Sequence, residues 1–229
     1  MMTAASRREA EDGADAGIVP TGESRIVLVR HGQTEYNREG RWQGSGVDVP
    51  LNDVGRSEAA RVAAALAERF GGGVAAVYTS DLERARETAA ILAARLGLEA
   101  IDEPALRELS HGRWEGLTHA EVIERWPDEH AAYQASPYDV RRGGGDNYRD
   151  LERRLWPALE AIAERHRGER VVAVSHGGPI RLALSRILDR PLVDRDELGV
   201  ANGSWFEIAR SPGGWALVQQ GSQNDGASE

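Results

Sequence analysis

The chain has 229 residues, of which 41% are hydrophobic and 28% are charged, and this size and composition predict one globular domain with its own core. It contains no cysteine, and all 28 basic residues are arginine, which excludes a disulfide framework, a thiolate metal site, a cysteine nucleophile and Schiff-base chemistry on lysine. The 37 acidic residues bring the formal net charge to -9, which argues against a general binder of nucleic acids or anionic membranes.

Both ends of the chain are rich in small, polar and charged residues. Residues 1–24 and 221–229 are therefore predicted to be disordered tails around a body at 25–220. No apolar run approaches the roughly 18 to 20 residues of a membrane span, and the first residues contain no apolar signal-peptide region. These features predict a cytoplasmic protein that does not bind a membrane.

The first predicted element is a strand at 25–29, where the apolar, β-branched run RIVLV leads into the tripeptide RHG. The next is a helix capped by Asn52 or Asp53, which runs to the three glycines at 71–73. Apolar residues recur along this segment at helical spacing, so it is the clearest helix pattern in the chain.

Strand and helix patterns then alternate along the rest of the body. In chain order they are a strand at 74–79, helices at 81–95 and 146–165, a strand at 171–175, a helix at 179–188, and strands at 204–209 and 215–220. This order predicts an α/β protein, a three-layer α/β/α sandwich with a mostly parallel central sheet. The glycine-rich segment 141–147 predicts a mobile or tightly turned connection.

Two histidines follow predicted strands directly. His31 comes after the first strand and His176 after the strand at 171–175, and a glycine follows each of them. Ligands of open α/β sheets bind at the carboxyl ends of the strands, so both imidazoles are expected in one crevice. Either histidine taken alone could instead be a cap or a loop residue. Together, with arginines nearby and no carboxylate cluster, they favour oxyanion chemistry over metal binding.

Four segments in order carry a resemblance to a known family: IVLVRHGQTEYN at 26–37, SDLERARETA at 80–89, LRELSHGRWEGLT at 106–118 and VVAVSHGGPIR at 171–181. The chain resembles the histidine phosphatase superfamily, also called phosphoglycerate mutase-like, over about residues 25–210. It is most similar to short bacterial phosphatases of the glucosyl-3-phosphoglycerate phosphatase and alpha-ribazole phosphatase type. The short interval between the third and fourth segments favours hydrolysis over mutase chemistry.

The resemblance implies a role for each of five residues. His31 would be the nucleophile that forms a phosphohistidine. Arg30 and Arg84 would bind the phosphoryl oxygens, and His176 would donate a further hydrogen bond to them. Glu108 would protonate the leaving alkoxide and then activate water. Such a site needs no metal and no cofactor.

Four further residues are candidates for substrate binding. Asn37 would donate its amide to the same oxygens, although it could instead be only a helix or turn cap. Gln43 and Gly44 match the loop that touches the substrate in the resembled families. Gly177 could offer a backbone N–H beside the second histidine. The competing carboxylate, Glu115, is predicted to be structural.

Residues 113–147 have the least motif content and are predicted to form a lid that selects the leaving group. Its aromatic and basic side chains could bind a sugar or a second anion, or the aromatics could form a small satellite core and the arginines a solvated face. These side chains are Trp114, Tyr133, Tyr138, Arg141 and Arg142. Surface or helix roles, not metal binding, are predicted for the other histidines, which are His111, His119, His130 and His166.

The predicted function is therefore metal-independent hydrolysis of a small phosphorylated metabolite, such as a sugar phosphate or a phosphoglycerate-type monoester. A phosphoglycerate mutase shares every catalytic residue and is the first alternative. A noncatalytic protein that binds a phosphorylated ligand is the second, and it would be expected to lack one of the five core residues. No nucleic-acid partner is expected, and the sequence leaves undecided whether the protein forms a homodimer.

Overall fold

The computed structural model describes residues 18–192 and 198–222, and in these ranges six strands and seven α-helices are found. The strands are β1 Ser24–Arg30, β2 Val74–Thr79, β3 Ala100–Asp102, β4 Arg170–Ser175, β5 Trp205–Ser211 and β6 Gly214–Gly221. The helices are α1 Glu35–Arg38, α2 Asp53–Phe70, α3 Glu83–Leu96, α4 His119–Arg125, α5 Pro127–Ala135, α6 Tyr148–Arg165 and α7 Gly177–Ile187.

All six strands form one sheet in the order β3-β2-β4-β1-β5-β6. Strands β3, β2, β4 and β1 are parallel, with Val27 of β1 opposite Val172 of β4, and β5 and β6 continue the sheet in antiparallel directions. The predicted mostly parallel α/β sheet is confirmed. β1 and β4 lie side by side at its centre, so their carboxyl ends, which carry the two predicted histidines, meet at one edge.

The two faces of the sheet are covered by different helices. Val27 and Val29 of β1 pack into the core formed with α2 and α3, whereas Ile26 and Leu28 pack into the core formed with α6 and α7. Alternate side chains of a strand point to opposite faces, so a run of consecutive apolar residues is needed when both faces are covered. This is the physical reason for the RIVLV pattern of β1.

Local capping explains where the long helices begin. The side chain of Asn52 accepts a hydrogen bond from the Gly55 N–H and caps α2, as predicted. Asn147 and Asp150 form a reciprocal capping box at the start of α6. α7 begins at Gly177, two residues before the predicted start, because its N-cap residue is His176 itself.

Four short elements have no counterpart among the predicted ones: β3, α1, α4 and α5. All three residues of β3 are exposed at the edge of the sheet, so they show no apolar pattern. Helices α4 and α5 lie in the predicted lid segment 113–147. The predicted tails fall mainly outside the described residues, and β1 begins at Ser24.

Among residues 18–192 and 198–222, no helix combines the length and the apolar content that crossing a membrane requires. The cytoplasmic location and the homodimer stay predictions.

Candidate active site

A cavity of about 700 Å3 opens at the carboxyl edge of the parallel strands. Six of the nine predicted site residues line it, namely Arg30, His31, Asn37, Gln43, Glu108 and Gly177. Arg84, His176 and Gly44 lie behind this lining, and the first two are completely buried. The rings of His31 and His176 are in edge contact, with centroids 5.0 Å apart. The sheet thus brings residues from distant parts of the chain to one place.

His31 directly follows β1 and is almost fully buried. Its Nδ1 lies 2.7 Å from the carbonyl oxygen of Gly32. A carbonyl can only accept, so Nδ1 carries the proton and Nε2 keeps a lone pair. Burial, and then the positive charges of Arg84 and Arg30, hold the pKa of His31 well below its usual value. The imidazole is therefore neutral at neutral pH.

His176 is held from both sides of its ring. Its Nδ1 accepts a hydrogen bond from Arg84 Nε at 3.2 Å, and its Nε2 lies 2.8 Å from Ser80 Oγ. An arginine can only donate, so Nδ1 is unprotonated and Nε2 carries the proton. Burial and then the charge of Arg84 lower the pKa of His176 well below its usual value.

Arg84 lies in the first turn of α3 and joins His176 to the loop before α2. Its guanidinium donates to the carbonyl oxygens of Gly44 at 3.1 Å and Val47 at 3.2 Å. Burial lowers the pKa of Arg84 to about 10, so it stays charged at neutral pH. Its nearest carboxylate oxygen, Asp48 Oδ1, is 3.7 Å from NH1, so its shorter contacts are to neutral groups and the cation can still attract an anion.

The remaining polar groups of the lining offer donors. Arg30 donates to the Val200 carbonyl oxygen at 2.7 Å and borders the cavity. The side-chain oxygen of Asn37 accepts the Thr34 N–H at 3.1 Å, which is the capping role named as an alternative, and its amide nitrogen is left for the cavity. Gln43 has a buried Nε2 without a hydrogen-bond partner.

Glu108 is the carboxylate of this site. Its Oε2 accepts the N–H of Gly178, in the first turn of α7, at 3.0 Å, and its Oε1 accepts the Leu109 N–H at 3.0 Å. Glu115 instead accepts the His111 N–H at 2.9 Å and lies outside the cavity lining, which agrees with the predicted structural role.

Several residues of the cavity were not predicted to be there. They include Trp42, Tyr148 and Arg181, together with His111 and His119. The surface role predicted for His111 is wrong, because this side chain is buried and its ring contacts Trp42 with centroids 5.1 Å apart. The alternative helix role agrees with its position as the N-cap residue of the 3-10 turn Gly112–Trp114. His119 begins α4, yet it also packs on Trp42. Sequence spacing contained no signal for these contacts.

The predicted lid segment 113–147 contains side chains that line the cavity and side chains that do not. Trp114 and Tyr133 pack with Trp42 in a small satellite core, as one alternative held. Arg141 is exposed and forms an ion pair with Asp150 at 2.7 Å. Arg142 is buried and lines the cavity, so the two neighbouring arginines have opposite environments. The hydroxyl of Tyr138 bonds to Glu152, away from the cavity.

Known proteins resemble this chain over most of its length. The model of the histidine phosphatase superfamily (branch 1) matches residues 26–223. Phosphoglycerate mutase-like protein 4 of Arabidopsis thaliana is 43% identical over 163 residues, which are 70% of this chain and 70% of that protein. A metal-independent phosphoserine phosphatase of the same plant is 42% identical over 166 residues, 71% of this chain and 68% of that protein. The solved structure of a mycobacterial glucosyl-3-phosphoglycerate phosphatase superposes with a TM-score of 0.73 at 31% identity, covering 85% of this chain and 97% of that one.

Proposed function

Since this chain belongs to the histidine phosphatase superfamily and is a phosphomonoesterase, we propose that it hydrolyses a small phosphorylated metabolite, without a metal, through a phosphohistidine on His31. The observation that carries the proposal is the state of this imidazole. It is neutral, the Gly32 carbonyl oxygen binds Nδ1–H, and Nε2 keeps its lone pair beside a cavity rich in arginine. A neutral imidazole with one fixed tautomer is the form that can attack phosphorus.

In the first step, the lone pair of His31 Nε2 forms a bond to phosphorus and the ester P–O bond breaks. Glu108 gives its proton to the leaving oxygen. Arg30 holds the phosphoryl oxygens from the cavity wall. Arg84 and His176 lie behind that wall, and they bind the same oxygens by exchanging their present acceptors, the carbonyl oxygens of the loop before α2 and Ser80 Oγ, for the anion. In the second step, Glu108 takes a proton from water, the water oxygen attacks phosphorus, and the P–N bond breaks to release phosphate.

The named relatives support a small substrate. One is a metal-independent phosphoserine phosphatase, and others at 33 to 34% identity are glucosyl-3-phosphoglycerate phosphatases. Phosphoserine and glucosyl-3-phosphoglycerate are therefore the first substrates to assay. The relative named phosphoglycerate mutase-like protein 4 keeps phosphoryl transfer to a second metabolite as the alternative reaction.

The first experiment measures inorganic phosphate released from a panel of phosphomonoesters in EDTA at pH 5 to 8. We expect turnover by the wild-type protein and none by His31→Ala. Release of phosphate without added bisphosphoglycerate separates hydrolysis from the mutase reaction. Turnover that survives in His31→Ala would refute the nucleophile, and no release from any ester would refute the phosphatase.

The role of Glu108 is tested with p-nitrophenyl phosphate, whose leaving group needs little protonation. In Glu108→Gln, turnover of alkyl esters should fall by about 10²- to 10⁴-fold, while phosphate binding is largely kept. Phosphoenzyme formed from p-nitrophenyl phosphate should accumulate in this variant, because no base activates water. Glu115→Gln is the matched control and should accumulate none. Full activity of Glu108→Gln would refute the assignment.

A further inference from the structure

We propose that Arg142 determines specificity by binding a carboxylate on the leaving group, so that the substrates are phosphomonoesters that also carry a carboxylate. This inference rests on the proposed phosphatase function and names the class of substrate. Arg142 takes part in no chemical step of the reaction.

The charge of the cavity is opposite to the charge of the protein. Although the net charge is -9, the lining contains four arginines and one carboxylate, Glu108. Arg41 is neutralised by Glu39 at 2.5 Å, and Arg30 is assigned to the phosphoryl group. Arg181 lies against Gly177, where an added Cβ would be 2.8 Å from its NH1, and it is only partly buried. Arg142 is the only one of the four that is buried, and it has no role in the proposed reaction.

Arg142 is buried and forms no ion pair with a carboxylate. It is only 4% exposed, and among residues 18–192 and 198–222 no acidic oxygen lies within 4.0 Å of its guanidinium, so the negative charge of Glu108 reaches it only from farther away. Its Nε has no hydrogen-bond partner, and its NH1 is 3.5 Å from His111 Nδ1. A buried charge is costly unless it is paired. An anion that enters the cavity would supply the missing acceptor.

Aromatic rings hold this guanidinium in place and help to identify the anion. Its central carbon lies 4.8 Å from the ring centre of Tyr133 and 4.7 Å from that of Tyr148. Such contacts stabilise the cation, and the Tyr148 side chain also accepts a hydrogen bond from it, but neither tyrosine brings a negative charge to the guanidinium at neutral pH. A planar guanidinium binds a planar carboxylate through two parallel hydrogen bonds, and one cation balances one negative charge. This favours a carboxylate over a second phosphate.

The turn that carries Arg142 is fixed to the segment that follows Glu108. The Asp146 N–H donates to the Ser110 carbonyl oxygen at 2.8 Å, and the Ser110 N–H donates to the Asp146 carboxylate at 2.9 Å. A Cβ added at Gly143 would lie 2.4 Å from the His111 carbonyl oxygen, so the two backbones are in close contact. The guanidinium therefore has a fixed position relative to the proposed general acid, as a specificity residue requires.

The test compares esters that differ only in the carboxylate: phosphoserine with phosphoethanolamine. In Arg142→Met we expect kcat/KM for phosphoserine to fall on the order of 10- to 100-fold, mainly through KM, and that for phosphoethanolamine to change less than about threefold. Arg141→Met, the neighbouring exposed arginine, should keep the wild-type ratio. Arg142→Lys keeps the charge without the planar fork, and its ratio should be intermediate.

Equal losses on both esters in Arg142→Met would overturn the inference, as would a wild-type protein that does not distinguish them. If the wild-type protein prefers 1,3-propanediol bisphosphate to phosphoserine and loses this preference in Arg142→Met, the group that Arg142 binds is a second phosphate, and the assignment to a carboxylate is wrong. If the wild-type protein hydrolyses no ester, the phosphatase proposal fails by itself. Dissociation constants of the two esters, measured by calorimetry in His31→Ala with and without Arg142→Met, then decide the carboxylate site separately.

Discussion

The contact between the turn at 143–145 and the segment after Glu108 can be tested by adding one methyl group at Gly112. This glycine has a φ of +51°, and a Cβ there would lie 2.2 Å from the carbonyl oxygen of Gly143 and 2.7 Å from the N atom of Gly145. Both obstacles are backbone atoms, so no side-chain rotation can remove them. Gly112→Ala should therefore strain its own backbone and push the turn away.

Gly144→Ala is the matched control for this substitution. Its φ is +79°, but the nearest atom to an added Cβ is the tip of Arg113, at 3.9 Å. Both variants carry the left-handed strain of about 1 to 2 kcal/mol. Only Gly112→Ala adds overpacking of about 1 to 3 kcal/mol. The free energy of unfolding should thus fall by about 2 to 5 kcal/mol in Gly112→Ala and by about 1 to 2 kcal/mol in Gly144→Ala.

Urea unfolding of the two variants and the wild-type protein measures these differences, with equal m-values as the condition for comparing them. Because the displaced turn carries Arg142, we also expect Gly112→Ala to raise KM for phosphoserine more than Gly144→Ala does. If Gly112→Ala loses no more stability than its control, the close backbone contact is wrong, and so is the fixed position of Arg142.

Two further predictions concern the buried groups of the site. Burial and then the charge of Arg84 lower the pKa values of His31 and His176, so both imidazoles stay neutral in the folded protein. In the unfolded state they bind protons below about pH 6.5, which lowers the free energy of unfolding. Between pH 7.5 and pH 5.5 each histidine should reduce the free energy of unfolding by up to about 1.4 kcal/mol. Urea unfolding at the two pH values should show a smaller loss of stability in the double variant His31→Gln/His176→Gln than in the wild-type protein. An equal loss in both proteins would contradict the lowered pKa values. Arg84→Lys should lower kcat/KM about 10²- to 10³-fold. A single ammonium group cannot donate to His176 and to the two loop carbonyl oxygens and also bind phosphate. Arg86→Lys, on the exposed side of α3, should stay near wild type, and equal losses would refute the role of Arg84.

Much of the fold and part of the site could be predicted from local patterns. The apolar runs before His31 and His176 require strands covered on both faces, and the two strands lie side by side at the centre of the sheet. The rule that ligands bind at the carboxyl ends of parallel strands then brings both imidazoles together. These predictions succeed because a strand, its register of buried residues and the residue that follows it are all properties of consecutive positions.

The cavity wall proposed to face the leaving group could not be predicted from local patterns, because it is formed by contacts between residues that are distant in the sequence. His111 and Arg142 are 31 residues apart and meet only after the glycine turn packs on the segment that follows Glu108. Arg141 and Arg142 are adjacent and chemically identical, so no pattern could tell the exposed one from the buried one. Local sequence patterns were sufficient to predict five of the six strands and the two histidines at the edge of the sheet. Tertiary packing alone decided which arginine enters the cavity, since burial depends on what the rest of the chain brings against a side chain.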